Sequence, residues 1–222
     1  MRTGLHDPRQ FLLELFQIAV HAADPHQVLP PCLPVDTGRS ALVIGAGKAA
    51  AAMASALEKN WTGALSGLVV TPYGHSEPCQ HIEVLEAAHP IPDTQGEQAA
   101  TRILELVSNL SATDLVICLL SGGGSALLSL PAPGITLADK RDINQQLLQS
   151  GATIAEINCV RKHLSRIKGG RLARACWPAQ LITYAISDVP GDHPAVIASG
   201  PTVADATRSA EALALLQRYA IK

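Results

Sequence analysis

The chain has 222 residues, with 17 Lys and Arg against 19 Asp and Glu, and a formal net charge of −2. That balance argues against a dedicated nucleic-acid binder, which needs a cationic surplus to displace counterions, and 3% aromatic content gives no base-stacking platform. At 47% hydrophobic and 16% charged, the chain is neither disordered nor highly solvated, and it is long enough to bury a real core.

The first predicted element is an amphipathic helix over residues 8–23, with Phe11, Leu12, Leu15, Phe16 and Val20 on one face. A proline-rich irregular crossing follows over 24–38. A strand at 40–44 then runs through glycine into a helix at 48–59. Further strands are expected at 68–71 and 82–85, and a helix opened by Pro92 and Asp93 extends to about residue 108. Residues 114–120 are apolar throughout, as suits a central parallel strand buried on both faces. Helices are expected at 136–150, 153–167 and just past Gly170, then a buried strand at 181–186 and a last helix at 209–219. Strands alternating with helices predict an α/β fold, a three-layer α/β/α Rossmann-like domain with a mostly parallel sheet.

Residues 1–9 mix charge with proline, unlike a secretory leader, and no apolar run approaches the ~20 residues that cross a bilayer. The five cysteines lie far apart without a C-x-x-C pair, which argues against a disulfide framework or structural zinc and for a cytoplasmic setting.

In open parallel sheets, ligands sit beyond the carboxyl ends of the strands. Three polar loops fall there. Gly45-Ala-Gly47-Lys48-Ala-Ala50 fits the dinucleotide fingerprint G-x-G-x-x-A, but the next strand ends in Thr71-Pro72 where an acidic residue should meet a ribose hydroxyl. It is no Walker A loop either, since Leu42 and Ala49 stand at two of its required positions. Lys48 at a helix start can still meet a phosphate or carboxylate. The second loop, Ser121, Gly122, Gly123, Gly124 and Ser125, combines backbone amides and two hydroxyls into an anion-binding nest. In the third, Asp188 and Asp192 flank Val-Pro-Gly and could hold Mg²⁺ or take a proton from a substrate hydroxyl, although Asp also favours plain turns. Between Cys159 and Ser187 there are six Lys and Arg and no acidic residue. On a continuous helix Arg161, Ser165 and Lys168 share one face, suiting an anionic ligand. His75 and His89, each near a glycine or proline turn, could line the cleft, although they read first as ordinary loop histidines.

Taken in order, Ile44-Gly-Ala-Gly-Lys-Ala-Ala50, Ala88-His-Pro-Ile-Pro-Asp93, Leu120-Ser-Gly-Gly-Gly-Ser-Ala126, Ile157-Asn158 with Val160-Arg-Lys-His163, Ile167-Lys-Gly-Gly-Arg171, Ser187-Asp-Val-Pro-Gly-Asp192 and Ala198-Ser-Gly-Pro-Thr202 resemble the glycerate 2-kinase family, the MOFRL-type enzymes often labelled hydroxypyruvate reductase. The resemblance runs from about residue 9 to the end. It implies that residues 1–222 are the N-terminal domain, without the smaller C-terminal domain that closes over the cleft in that family. It further implies ATP-dependent phosphorylation of D-glycerate, or a similar hydroxy acid, to the 2-phosphate, with Mg²⁺. Lys48, Asp188 and Asp192 would then be catalytic, with both aspartates as metal ligands. Gly45, Gly47, residues 121–125, Asn158, Arg161 and Lys168 would bind substrate or phosphate. An NAD(P)H-dependent hydroxypyruvate reductase and a non-catalytic ligand-binding half-domain are the alternatives. The expected partner is a small molecule, with neither nucleic acid nor membrane, and the chain could form a homodimer.

Overall fold

A computed structural model describes residues 7–35 and 37–221; the N-terminal residues 1–6, Asp36 within the proline-rich crossing, and Lys222 lie outside the described residues. The chain forms helices α1 (Pro8–Ala22) and α2 (Pro25–Val28), strand β1 (Ala41–Ala46), helix α3 (Ala50–Asn60), and strands β2 (Leu65–Pro72) and β3 (Glu83–Ala87). It continues through α4 (Thr94–Leu106), β4 (Leu115–Ser121), α5 (Gly124–Leu127), α6 (Leu137–Gln149), α7 (Ile154–His163), α8 (Arg171–Cys176), β5 (Gln180–Ile186) and α9 (Ser209–Arg218). All five strands are parallel, in the spatial order β3-β2-β1-β4-β5.

Every residue of β4 is buried. On one face Ile117 and Leu119 pack with Met53 and Leu57 of α3. On the other, Val116, Cys118 and Leu120 join Ile103 of α4 and Leu127 of α5. This two-sided burial explains the unbroken apolar run, and each fully buried Leu or Ile contributes about 1.5–3 kcal/mol. The β2–β3 crossover contains no helix. Its return is pinned by Glu58 of α3, whose carboxylate accepts the N–H groups of Gln80, His81 and Ile82 at 2.7, 2.8 and 2.8 Å. Helices α6, α7 and α9 form a third apolar cluster around Leu147, Val160 and Ala212. Both α6 and α7 start with a capping box, Thr136 with Asp139 and Thr153 with Glu156, as T-x-x-D/E spacing specifies.

Three expectations are corrected. Strand β5 is the sheet edge, paired only with β4, and none of its residues is fully buried. Helix α7 ends at His163 because the chain beyond it pairs elsewhere: Ser165 bridges Pro131, and Arg166 N–H donates to Leu130 O. Arg161, Ser165 and Lys168 therefore share no helix face. Helix α1 forms where predicted but lies outside the core, with Leu12 65% and Phe16 66% exposed. Among the described residues, no helix is long and apolar enough to cross a membrane.

Candidate active site

The strand order reverses its direction of growth between β1 and β4, and the crevice at the carboxyl ends of such a pair is where open parallel sheets bind ligands. The loops after these strands meet there. Lys48 N–H donates to Gly122 O at 2.8 Å, and Ala49 N–H donates to Ser121 Oγ at 3.0 Å. Gly47 has φ 149°, and a Cβ on it would sit 2.0 Å from Ser121 Oγ; one on Gly45 would sit 2.1 Å from Leu119 O. Both glycines are thus required by close approach to β4, and the N–H groups of residues 47–49 are taken up by protein acceptors. The expected phosphate cradle at Gly45 and Gly47 is corrected accordingly. The Lys48 side chain remains exposed. At the end of β2, buried Thr71 donates its hydroxyl to Gly47 O at 3.3 Å, so a hydroxyl occupied within the protein stands where a dinucleotide site has a carboxylate.

The loop after β4 is different. Among the described residues, the N–H groups of Gly123, Gly124 and Ser125 donate to no protein acceptor. A Cβ on Gly122 would lie 2.2 Å from Asp188 Oδ2, and one on Gly123 would lie 2.9 Å from His89 Nε2 and 3.4 Å from Lys48 Cγ. The bare loop therefore lets Lys48, His89 and Asp188 converge on three free amides. Burial and the neighbouring Lys48 and His75 hold the His89 imidazole below its ordinary pKa, with Asp188 pulling the other way. The sequence left His89 open, as a residue that could line the cleft or as an ordinary loop histidine. Its signal was the position just beyond β3, which ends at the same sheet edge as β1 and β4.

Behind this loop, Ser125 Oγ lies 2.8 Å from Ser199 Oγ, which donates to Asn158 Oδ1 at 3.3 Å. Asn158 is buried and tethers the loop through Ser199. Ala198 and Ser199 hold left-handed backbone at φ 50° and 61°, a strain of about 1 kcal/mol or more each. Lys168, 1% exposed, donates to Ser125 O at 2.7 Å and Leu128 O at 2.6 Å, bracing α5. Arg161 Nε donates to Asn144 Oδ1 at 2.6 Å. The reading of the basic run as unpartnered is corrected in part: Lys162 pairs with Asp205 at 3.1 Å, and Arg171 donates to the carbonyls of Lys162 and Lys168.

Asp188 and Asp192 face different surroundings. Asp192, at φ 51°, lines a second cavity with Thr183, Ser187 and Thr202 along the β5 edge. Among the described residues, no group of three or more His, Cys, Asp or Glu has metal-holding geometry. A lone carboxylate beside a loop of free amides does fit Mg²⁺ arriving on a nucleotide, since that ion takes one or two carboxylates together with phosphate oxygens.

A parallel sheet with a loop of free amides at its switch point defines an open-sheet α/β domain. The chain belongs to the family described as Domain of unknown function (DUF4147), whose model matches residues 11–222. A protein of Agrobacterium vitis that carries a provisional hydroxypyruvate reductase name is 55% identical over 214 residues, covering 96% of this chain and 49% of that protein. The D-glycerate 2-kinase of Thermotoga maritima is 42% identical over 216 residues, covering 96% of this chain and 52% of the kinase. The crystal structure of glycerate kinase from the same organism superposes with a TM-score of 0.84, over 96% of this chain and 52% of that one. These matches bear out both the α/β fold and the resemblance to the N-terminal half of the glycerate 2-kinases. The chain spans about half the length of the relatives it matches.

Proposed function

We propose that this chain is the nucleotide- and substrate-gripping half of an ATP-dependent D-glycerate 2-kinase that works with Mg²⁺ in the cytoplasm, the rest of the family's length supplying a domain that closes over the cleft. One observation carries this reading: Lys48, the free amides of Gly123, Gly124 and Ser125, and Asp188 converge at the switch point. Phosphoryl transfer needs electrostatic clamping and positioning more than covalent help, and a cation, three N–H donors and one carboxylate supply both.

In the reaction the 2-hydroxyl oxygen of D-glycerate bonds to the terminal phosphorus, the bond from that phosphorus to the bridging oxygen breaks, and ADP leaves. Lys48 and the loop amides meet the charge on the transferred group. Asp188 is the residue to hold Mg²⁺, which would neutralise phosphate oxygens. His89, kept below its ordinary pKa and so uncharged near neutrality, accepts the hydroxyl proton. Ser125 is held for this role by Ser199, Asn158 and Lys168. The reductase reading is favoured by a relative's name, but the end of β2 offers no carboxylate for a nicotinamide cofactor's ribose.

The test is Lys48→Ala in a protein of the family's full length. Turnover is expected to fall about 10²-fold or more, with the melting temperature moving by only about 2 °C, because an exposed lysine at a helix start adds little to folding. Equal turnover would make Lys48 a solvated surface residue.

A further inference from the structure

Beside the glycine loop, α5, α6 and α7 enclose a cavity of ≈ 50 Å³. Its walls carry four cations, Lys140, Arg141, Arg161 and Lys168, and no carboxylate. Lys140 is 7% exposed, and its ammonium has no hydrogen-bond partner. Ser129, 1% exposed in the same wall, has an equally unpartnered hydroxyl. The other cations are engaged in part: Lys168 braces Ser125 O and Leu128 O, Arg161 uses Nε on Asn144, and Arg141 Nε donates to Pro92 O.

A buried ammonium without a partner is costly, and so is an unanswered buried hydroxyl. The remaining lining includes Ile143, Leu147, Val160 and Leu164, among which an apolar side chain at position 140 would pack without that cost. The chain instead keeps a cation there, in a wall shared with three other basic side chains. Burial and the Arg161 charge pull Lys140 down to about 8, and Glu97 acts against them, so an anion entering the cavity would meet a group still largely protonated at neutral pH.

We propose that this cavity binds one small oxyanion, a carboxylate or a single phosphoryl group, held by Lys140 Nζ, the Arg161 guanidinium and Ser129 Oγ. Size fixes the class of ligand: at ~10–15 Å³ per water-sized position the cavity holds about three to five such positions, room for an oxyanion but not for a nucleoside. Ser125 lines it too, so its occupant lies against the loop assigned above to phosphoryl transfer. The site stands on its own geometry, whichever reaction the glycine loop serves.

The experiment is isothermal titration of the 222-residue chain at pH 7 with inorganic phosphate, D-glycerate and ATP in separate runs. Phosphate or D-glycerate is expected to bind one to one. Phosphate alone would identify a phosphoryl ligand, and D-glycerate alone a carboxylate. Lys140→Met and Arg161→Met should each weaken that binding at least tenfold, while Arg166→Ala, outside the cavity, should leave it unchanged. Thermal melts show whether each variant is folded, and the two cavity variants act from different helices, so misfolding of one leaves the other decisive. If both misfold, a rise in the parent chain's melting temperature with the small anion but not with equimolar chloride supports the proposal, and its absence overturns it. The proposal is also overturned if the parent chain binds neither small anion, if both cavity variants bind as it does, or if binding is lost in Lys48→Ala and kept in Lys140→Met.

Discussion

Lys140 carries its ammonium among Ile143, Leu147 and Leu164, facing Arg161, Lys168 and Arg141 across the cavity and, more weakly, Glu97 of α4. Its pKa falls from 10.5 to about 8 on folding. A lysine whose folded pKa is lowered destabilises the native state wherever it is charged in the unfolded chain. The penalty is full below pH ~8, shrinks as pH rises and vanishes above the unfolded value. Each tenfold loss of proton affinity on folding costs ~1.4 kcal/mol, so Lys140→Met should stabilise the protein at pH 7 by up to roughly 3 kcal/mol, with the gain fading towards pH 10.5. Urea unfolding midpoints at the two pH values check this, and a methionine variant no more stable at pH 7 would contradict it. Lys48 and Asp188 stood out as candidates in the sequence because each closely follows an apolar strand, Lys48 directly after Gly47 and Asp188 at the start of the loop that Gly191 turns. Lys140 was not, because a lysine between Asp139 and Arg141 in a polar helix gives no sign that Arg161, Ser129 and Lys168 will close around it. Lys162 likewise looked unpartnered because Asp205, its partner, lies far along the chain.

At the scale of elements, two glycines in adjoining loops do opposite work. A Cβ on Gly47 would meet Ser121 Oγ at 2.0 Å and the Ser121 backbone at 2.7 Å, with φ 149° adding strain. A Cβ on Gly122 would meet Asp188 Oδ2 at 2.2 Å, the end of a side chain that can rotate away. Gly47→Ala should thus lower stability by about 3 kcal/mol or more, seen as a large drop in melting temperature. Gly122→Ala should melt within a few degrees of the parent yet lose about tenfold or more in turnover, because Asp188 is displaced from the loop. Calorimetry beside a turnover assay separates the two, and an unfolded or fully active Gly122→Ala would contradict the assignment. Most elements were readable: β4 from its unbroken apolar run, and α6 and α7 as helices that start at the expected Thr136 and Thr153. The end of α7 was hidden because the backbone of Leu130 and Pro131 captures residues 165 and 166. The edge position of β5 was hidden because an apolar strand does not declare how many neighbours it has.

Across the whole molecule, the alternation of strands and helices fixed the α/β class, but only the pairing places β1 beside β4 and so makes one crevice of two loops more than seventy residues apart, as the Ala49 to Ser121 hydrogen bond records. Loop chemistry was legible as anion binding, whereas its division was not. The first loop has its amides taken up by Val70, Ser121 and Gly122, the second leaves three free, and the cations of α6 and α7 line a separate cavity. In the function proposed above, this fold grips the reactants of D-glycerate phosphorylation. Phosphorus NMR of ATP, Mg²⁺ and D-glycerate with a protein of the family's full length tests it most directly, with NADH and hydroxypyruvate as the paired control. The predicted result is a 2-phosphoglycerate signal growing as the terminal phosphate of ATP decays, no NADH consumption, and little or no product from residues 1–222 alone. Oxidation of NADH by hydroxypyruvate without ATP, with no phosphate ester formed, would contradict it.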